Sequence, residues 1–426
     1  MGQVDPMTPD NTGYPPSSTP PAATLGQVFQ RVEEEVILLS CFDGIGSAAL
    51  ILKGLVADIS LHIAWEVDSD CLEVLKARHP EAVIRGDFLK DDPAEVARAI
   101  HRHDPEGTKL VLFASAPPCP DFSRIRDDAP YCEFIRKVEM DIPHKRTGHI
   151  TENVVMDKGE ADHFAGLLDC NTVLADAQDF GLINRPRLWW TRVDWSRTRT
   201  NPITGKRLRW SKNQKYHRLH HDTQLQEETD LQLDGLRLHT AVATHDRRMP
   251  CLTTPAPSDD GRPAPKKLRG KIDPEQKARW LQDGRSFAPW QYSPEALLHA
   301  ADGSMTVPPP EAKEQLHQLP RWYTAVPGVS ERARHRMLAN GWHIGSAKFI
   351  MMLVLQSMLM TAAATPAPQP RHTAMQTMLN ILQPLEPQIG PGRWPSEAIC
   401  VAQTGSMWEH WKAAIVATHP MQRPPA

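Results

Sequence analysis

Cys119 ends an apolar run that closes with Pro117 and Pro118, and Glu152, Asn153 and Val154 follow 33 residues further on after a second short apolar approach. A thiol held by prolines at the end of a buried strand stands at the C-terminal edge of a sheet, where α/β enzymes place their chemistry. Cys119 is therefore a candidate nucleophile, although a lone thiol of this kind can equally be a small core side chain. Glu152 stands at a second strand end.

Three other strand ends ask for a cofactor. Phe42-Asp43-Gly44-Ile45-Gly46 leaves the first strand and enters a helix, and glycines in such a turn let the backbone approach a nucleotide-like ligand. Glu66, 20 residues beyond Gly46 and followed by Val67, is placed to take ribose hydroxyls. Asp87, followed by Phe88, can accept a hydrogen bond from an adenine amino group. The adenosine of S-adenosylmethionine satisfies all three positions, and no GxxxxGK[ST] phosphate loop is present.

The elements that must hold these residues alternate along the chain. EVILLSCF, SLHIAWEV, AVIRGDF, KLVLFASAPPC and HITENVV read as strands, with a further one at Thr172 to Ala177. Helical text lies between them, as in AALILKGL and Ser69 to Arg78. This is the grammar of an α/β fold with a doubly wound, mostly parallel sheet. The predicted organisation is a disordered Pro/Ser/Thr-rich leader at 1–31, a catalytic and cofactor core at 32–195, a small inserted lobe at 196–305, a return to the core at 306–360, and a linker and tail at 361–426.

A chain of 426 residues with 40% hydrophobic and 23% charged content can bury a full α/β core and a second lobe. The net charge of -3 means that affinity for a polyanion must come from local patches. Seven cysteines without a CxxC pair argue for reduced thiols, no metal site and an intracellular compartment. No apolar run reaches membrane-spanning length and no secretory signal appears, so no membrane partner is expected.

The order of FDGIG (42–46), Glu66-Val67, Asp87-Phe88, Pro-Pro-Cys119, Glu152-Asn-Val154, Arg185-Pro-Arg187 and Asn340-Gly341-Trp342 resembles the DNA cytosine-5 methyltransferase family, over about Val36 to Leu359. The stretch from Trp322 through Ile344 is closest in style to the eukaryotic de novo branch. The resemblance implies the S-adenosylmethionine-dependent methyltransferase fold with an inserted target-recognition lobe. It implies S-adenosyl-L-methionine as cofactor, with Pro118 and Asn340, Gly341 and Trp342 closing over it. The implied reaction is methyl transfer to C5 of cytosine in double-stranded DNA, through a covalent bond from Cys119 to C6 of a flipped base. Glu152 would hold N3 and the exocyclic amine, while Arg187 and Arg185 would steady the base. A nuclear location would follow in a eukaryote.

The segment Ser196 to His221 carries eight Lys/Arg and no Asp/Glu, interleaved with Trp210 and Tyr216. Such a run is commonly a solvated loop, but it falls where the family carries its recognition region. Arg197, Arg199, Lys206, Arg207, Arg209, Lys212, Lys215 and Arg218 are accordingly candidate phosphate and base contacts. The loop between Phe122 and Tyr131 is several residues shorter than the family's, which would weaken closure over the base. Two alternatives stay open: a catalytically silent DNA-binding or regulatory homologue, and an RNA cytosine-5 methyltransferase. The tail is a candidate link to a further domain or partner.

Overall fold

In the computed structural model, residues 29–117, 129–143, 145–213, 215–221, 231, 233–255 and 272–364 are described. Along the first part of the chain run β1 (Val36–Cys41), α1 (Ser47–Lys53), β2 (Ile59–Trp65), α2 (Ser69–Arg78), β3 (Val83–Ile84), α3 (Pro93–His103), β4 (Leu110–Ser115), α4 (Ala129–Asp141), β5 (Arg146–Val154), α5 (Lys158–Leu168), β6 (Asn171–Asp176), β7 (Pro186–Thr191), β8 (Arg209–Asn213) and β9 (Tyr216–His220). β1 and β4 are buried at all six of their positions, as strands covered on both faces must be.

The nine strands form one sheet in the order β3-β2-β1-β4-β5-β7-β6-β9-β8. β3, β2, β1, β4 and β5 are mutually parallel, and β7 lies antiparallel to both β5 and β6. This is the expected doubly wound, mostly parallel sheet of an α/β fold. Strand order reverses between β1 and β4, so a crevice opens at their C-terminal ends, where such folds bind ligands.

Period-two alternation divides the core into two layers. Val36, Leu38, Leu110, Leu112 and Ala114 face a layer with helix α1, while Ile37, Leu39, Cys41, Val111 and Phe113 face α3, α4 and α5. Beyond the sheet the chain forms α6 (Thr240–Ala243), α7 (Pro274–Gln282), α8 (Pro310–Leu316), α9 (Glu331–Asn340) and α10 (Ile344–Ala364). α10 is apolar nearly all round because it fills the first layer, with Phe349, Ile350, Met351, Leu353 and Leu355 buried. It touches β5 so closely that a Cβ on Gly148 would lie 2.4 Å from Met358 Sδ. No single helix among the described residues is long and apolar enough to cross a membrane.

Within the 196–305 region the described strands fall in two sheets. Its basic first part becomes the β8–β9 hairpin, and β9 joins β6 in parallel at Leu174 and Arg218, so the hairpin extends the central sheet. The later part contains a separate antiparallel sheet of β10 (Arg237–Leu238), β11 (Leu298–His299) and β12 (Met305–Thr306). Near the start of the described residues, the Phe29 N–H donates to the Pro202 carbonyl at 2.6 Å and Val32 bridges Val56. Residues 1–28 of the leader and 365–426 of the tail lie outside the described residues.

At the sheet edge opposite the crevice, Lys145 is buried with its Nζ 2.7 Å from Asp104 Oδ2. Removing one partner of a buried pair strands the other charge. Lys145→Met should therefore lower unfolding free energy by about 3–5 kcal/mol in chemical denaturation.

Candidate functional site

The site is built on strand ends. After β1 the backbone enters the left-handed region at Phe42 (φ 55°), Gly44 (φ 60°) and Gly46 (φ 78°). The two glycines meet different surroundings. A Cβ on Gly44 would have nothing within 4 Å, whereas one on Gly46 would lie 2.3 Å from His79 Cδ2. Gly44 thus presents open backbone, while Gly46 is needed for a close approach.

Glu66 holds this turn. Its Oε2 accepts the Gly44 N–H at 2.8 Å, and its Oε1 accepts those of Val67 and Asp68, each at 2.8 Å. Oε2 keeps acceptor capacity for a further donor. Val67 is 70% exposed, an apolar side chain left uncovered beside the turn. Asp43 points inward instead, accepting the Ser40 hydroxyl and lying 3.5 Å from buried His62. Ile45 is buried against Leu338 and Met337. Asp87 accepts the Leu89 N–H at 3.0 Å, and Phe88 packs edge-on against Phe42 at 5.3 Å.

The other half of the site joins β4 to β5. Ser115 pairs with Thr151, and their hydroxyls lie 2.8 Å apart, with Tyr131 OH donating to Ser115 Oγ at 2.6 Å. One step beyond, Asn153 Nδ2 donates to the Pro117 carbonyl at 2.9 Å. Pro118, Cys119 and the shortened loop up to residue 128 lie outside the described residues. Pro117, two residues before the thiol, is therefore tied directly to the strand that carries Glu152.

Glu152 is buried and pairs with Arg187 Nε at 2.7 Å. Burial pushes its carboxyl above the usual range, with Arg187 and Arg185 acting against that rise. The Trp342 indole also favours the charged form of Glu152, yet its Nε1 completes no well-formed hydrogen bond. Arg185 is buried and donates to the carbonyls of Ala339 (3.0 Å) and Gly341 (2.8 Å), which ties the start of β7 to the end of α9. Trp342 packs against Trp189 at 5.6 Å, Gly341 sits beside Ile45, and Asn340 is exposed. The three residues expected to close over a cofactor thus face three different surroundings.

No protein-family model matches this sequence. Among solved structures, the chain is similar to the Schizosaccharomyces pombe Dnmt2 methyltransferase, at 14% identity and TM-score 0.43 over 76% of this chain and 99% of that one. It is similar to a substituted Spodoptera frugiperda DNMT2, at 14% identity and TM-score 0.43, covering 76% of this chain and 100% of the other. A third likeness is to the Entamoeba histolytica methyltransferase EhMeth, at 12% identity and TM-score 0.41 over 78% and 99% of the two chains. The functional reading rests on the geometry of the site and not on these likenesses.

The basic candidates divide by burial. Arg199, Lys206, Arg207, Arg209, Lys212 and Lys215 are exposed. Arg197 is half-buried and donates to the Met360 carbonyl at 3.2 Å, and Arg218 is half-buried against Asp179 at 2.9 Å. β9 runs in the same direction as β5, because β6 parallels both, so the Arg209–His220 pair lies at the crevice end of the hairpin.

Four contributors escaped sequence reasoning. Asn153 was visible only as the middle of a motif, and nothing in the text showed that its amide would reach Pro117. Cys251 lies 3.5 Å from Arg185 Nη1 and 3.8 Å from Arg187 Nη2. His317 and His343 flank Arg185, and burial pushes His317 well down and His343 down to about 3, with Arg185 adding to both shifts. Cys251, His317 and His343 come from three segments distant from one another in sequence.

Two outcomes are expected. Gly46→Ala should cost about 2–4 kcal/mol in urea unfolding, since strained backbone and a clash add, while Gly44→Ala should cost about 1 kcal/mol from its φ alone. A histidine whose folded-state value is depressed stabilises the fold above its unfolded value and loses that contribution as pH falls. Between pH 6.5 and pH 4 stability should fall steeply, and His343→Gln should remove about 3 kcal/mol of that fall in pH-dependent denaturation.

Proposed function

We propose that this chain is an S-adenosylmethionine-dependent cytosine-5 methyltransferase acting on duplex DNA, with Cys119 as its nucleophile. The observation that carries the reading is the Asn153–Pro117 hydrogen bond. It holds Pro117, two residues before Cys119 in the chain, against the strand whose Glu152 is buried with Arg187, on the sheet edge that also carries the glycine turn. A thiolate and a neutral carboxyl group addressing one ring are what activation of a pyrimidine requires.

The glycine turn fits the methyl donor. Gly44 has an open face, Glu66 retains an acceptor on Oε2, and Val67 offers uncovered apolar surface for a base. S-adenosylmethionine bound there supplies an electrophilic methyl carbon. C5 of cytosine is a poor nucleophile, so Cys119 adds to C6 and the electron pair of the C5–C6 bond becomes available at C5. Glu152, held toward its neutral form by burial, donates to N3 and relieves the charge that addition puts there. Arg187, oriented by Glu152, steadies the base. C5 bonds to the methyl carbon as the methyl–sulfonium bond breaks, a water takes the C5 proton, and the electron pair left at C5 restores the C5–C6 double bond as the C6–sulfur bond breaks, which releases the thiolate while N3 returns its proton to Glu152. A duplex hides C6, so the base must be flipped out.

The basic hairpin supports a polyanionic substrate. Lys206, Arg207 and Arg209 are exposed at the crevice end of β8 or just before it, four strands from β5. Four strand spacings are about 19 Å, a reach that suits phosphates roughly five or six base steps from the target.

Incubation with labelled S-adenosylmethionine and a 5-fluorocytosine duplex should give a covalent adduct that disappears in Cys119→Ala. Glu152→Gln should lower kcat by about 10²–10⁴-fold. Absence of both transfer and adduct would remove the enzyme reading and favour a silent DNA-binding homologue, and preferential methylation of tRNA in competition would move the substrate to RNA. Replacing Lys206, Arg207 and Arg209 by Glu should weaken duplex binding and flatten its salt dependence by up to about three in the log–log slope.

A further inference from the structure

Beneath the glycine turn lies a hydrogen-bond chain whose proton positions follow by elimination. Tyr323 OH is 3.0 Å from the Ile45 carbonyl, which can only accept, so the hydroxyl proton is committed there. Toward His79 Nε2, at 2.9 Å, the same hydroxyl can then only accept, so Nε2 carries the ring proton. The opposite nitrogen, Nδ1, is therefore a bare acceptor, and it faces the ammonium of Lys53 at 3.2 Å. The directions run from Lys53 through His79 and Tyr323 to Ile45, and the Lys53 ammonium is shared with the Glu81 carboxylate, 2.6 Å from it and 3.6 Å from Nδ1. Burial and the Lys53 charge push His79 down to about 4, so the neutral ring this order requires is the one present near neutral pH.

The chain meets the turn at two points. It bonds the carbonyl of Ile45, and the His79 ring fills the space where a Cβ on Gly46 would stand. Gly44, on the other side, presents its open face. Tyr323 is itself anchored from behind, since Arg78 donates to the carbonyls of Tyr323 and Trp322, each at 2.7 Å. At the far end of α2, Arg336 grips Asp68 and Asp70, with a contact of 2.7 Å to Asp70 Oδ2. Helix α2 follows directly on Glu66 and Val67. The late segment 322–336 therefore holds this helix at both ends, and holds the glycine turn through one hydroxyl.

We infer that Tyr323 and His79 are positioning residues for the methyl donor, setting the glycine turn in its binding geometry from the side that the ligand does not touch. The inference rests on the reading of that turn as the donor site. A binding turn must be held to within a fraction of an ångström, and its own contacts to Glu66 secure only Gly44. Without the Tyr323 hydroxyl, the Ile45 carbonyl and the His79 Nε2–H would both lose their partner.

Tyr323→Phe removes that oxygen and keeps the ring. In the full chain, Kd for S-adenosylhomocysteine by calorimetry and KM for S-adenosylmethionine should rise about five- to tenfold, the worth of one buried hydrogen bond. At saturating donor kcat should be unchanged, and amide exchange at Gly46 in the ligand-free protein should quicken. Lys53→Met, at the outer end of the chain, should weaken binding about two- to threefold in the same direction. Unchanged affinity in Tyr323→Phe, with only a lower unfolding midpoint, overturns the positioning role and leaves the donor site standing. Failure of the unsubstituted protein to bind S-adenosylhomocysteine overturns both. If Tyr323→Phe does not fold, Lys53→Met decides, and wild-type affinity there overturns the inference.

Discussion

Two strand ends are held in register by the amide of Asn153 on the carbonyl of Pro117, and the candidate site depends on that contact. Parallel strands carry no hairpin to set their alignment, so β4 and β5 need side chains for it. The Ser115–Thr151 hydroxyl pair and the Tyr131 hydroxyl secure the last rung, and Asn153 extends the lock past the end of the ladder. Since Glu152 is the residue between Thr151 and Asn153, the bonds that hold the strand also fix where its carboxyl points.

Burying that carboxyl has electrostatic consequences. Glu152 lies 2.7 Å from Arg187 in a buried region, where burial favours the neutral carboxyl and the guanidinium favours the charged one. Arg185 uses its guanidinium on backbone carbonyls at the end of α9, so the second arginine of the motif joins two remote pieces of chain. Among the described residues the Glu152 carboxyl has one close ionic partner, and burial is the largest influence on its proton affinity.

The same economy appears around the glycine turn. Glu66 satisfies three backbone N–H groups, Asp43 turns into the core, and Tyr323 reaches across from near the end of the described chain. Residues that the motif order marks as ligand contacts are in large part loop-holding groups. The surfaces left uncovered are the open backbone at Gly44 and the exposed side chain of Val67.

Much of the sheet was legible in the sequence, because the strands buried on both faces are continuous apolar runs and their ends carry the Gly, Glu, Asp and Pro residues that stop them. Ser69–Arg78 is the helix the text predicts, capped by Asp68. The β8–β9 hairpin was not legible as part of that sheet: its charge and aromatic residues describe a surface, and only the backbone pairing at Leu174 and Arg218 decides which sheet it joins. The sequence by itself determined the order of strand ends and the kinds of side chain offered there, since periodicity and turn chemistry are local. Tertiary structure alone decided which of those side chains face the crevice and which hold the backbone. Hydrogen bonds such as Tyr323 to Ile45, spanning 278 positions, leave no mark in any local pattern.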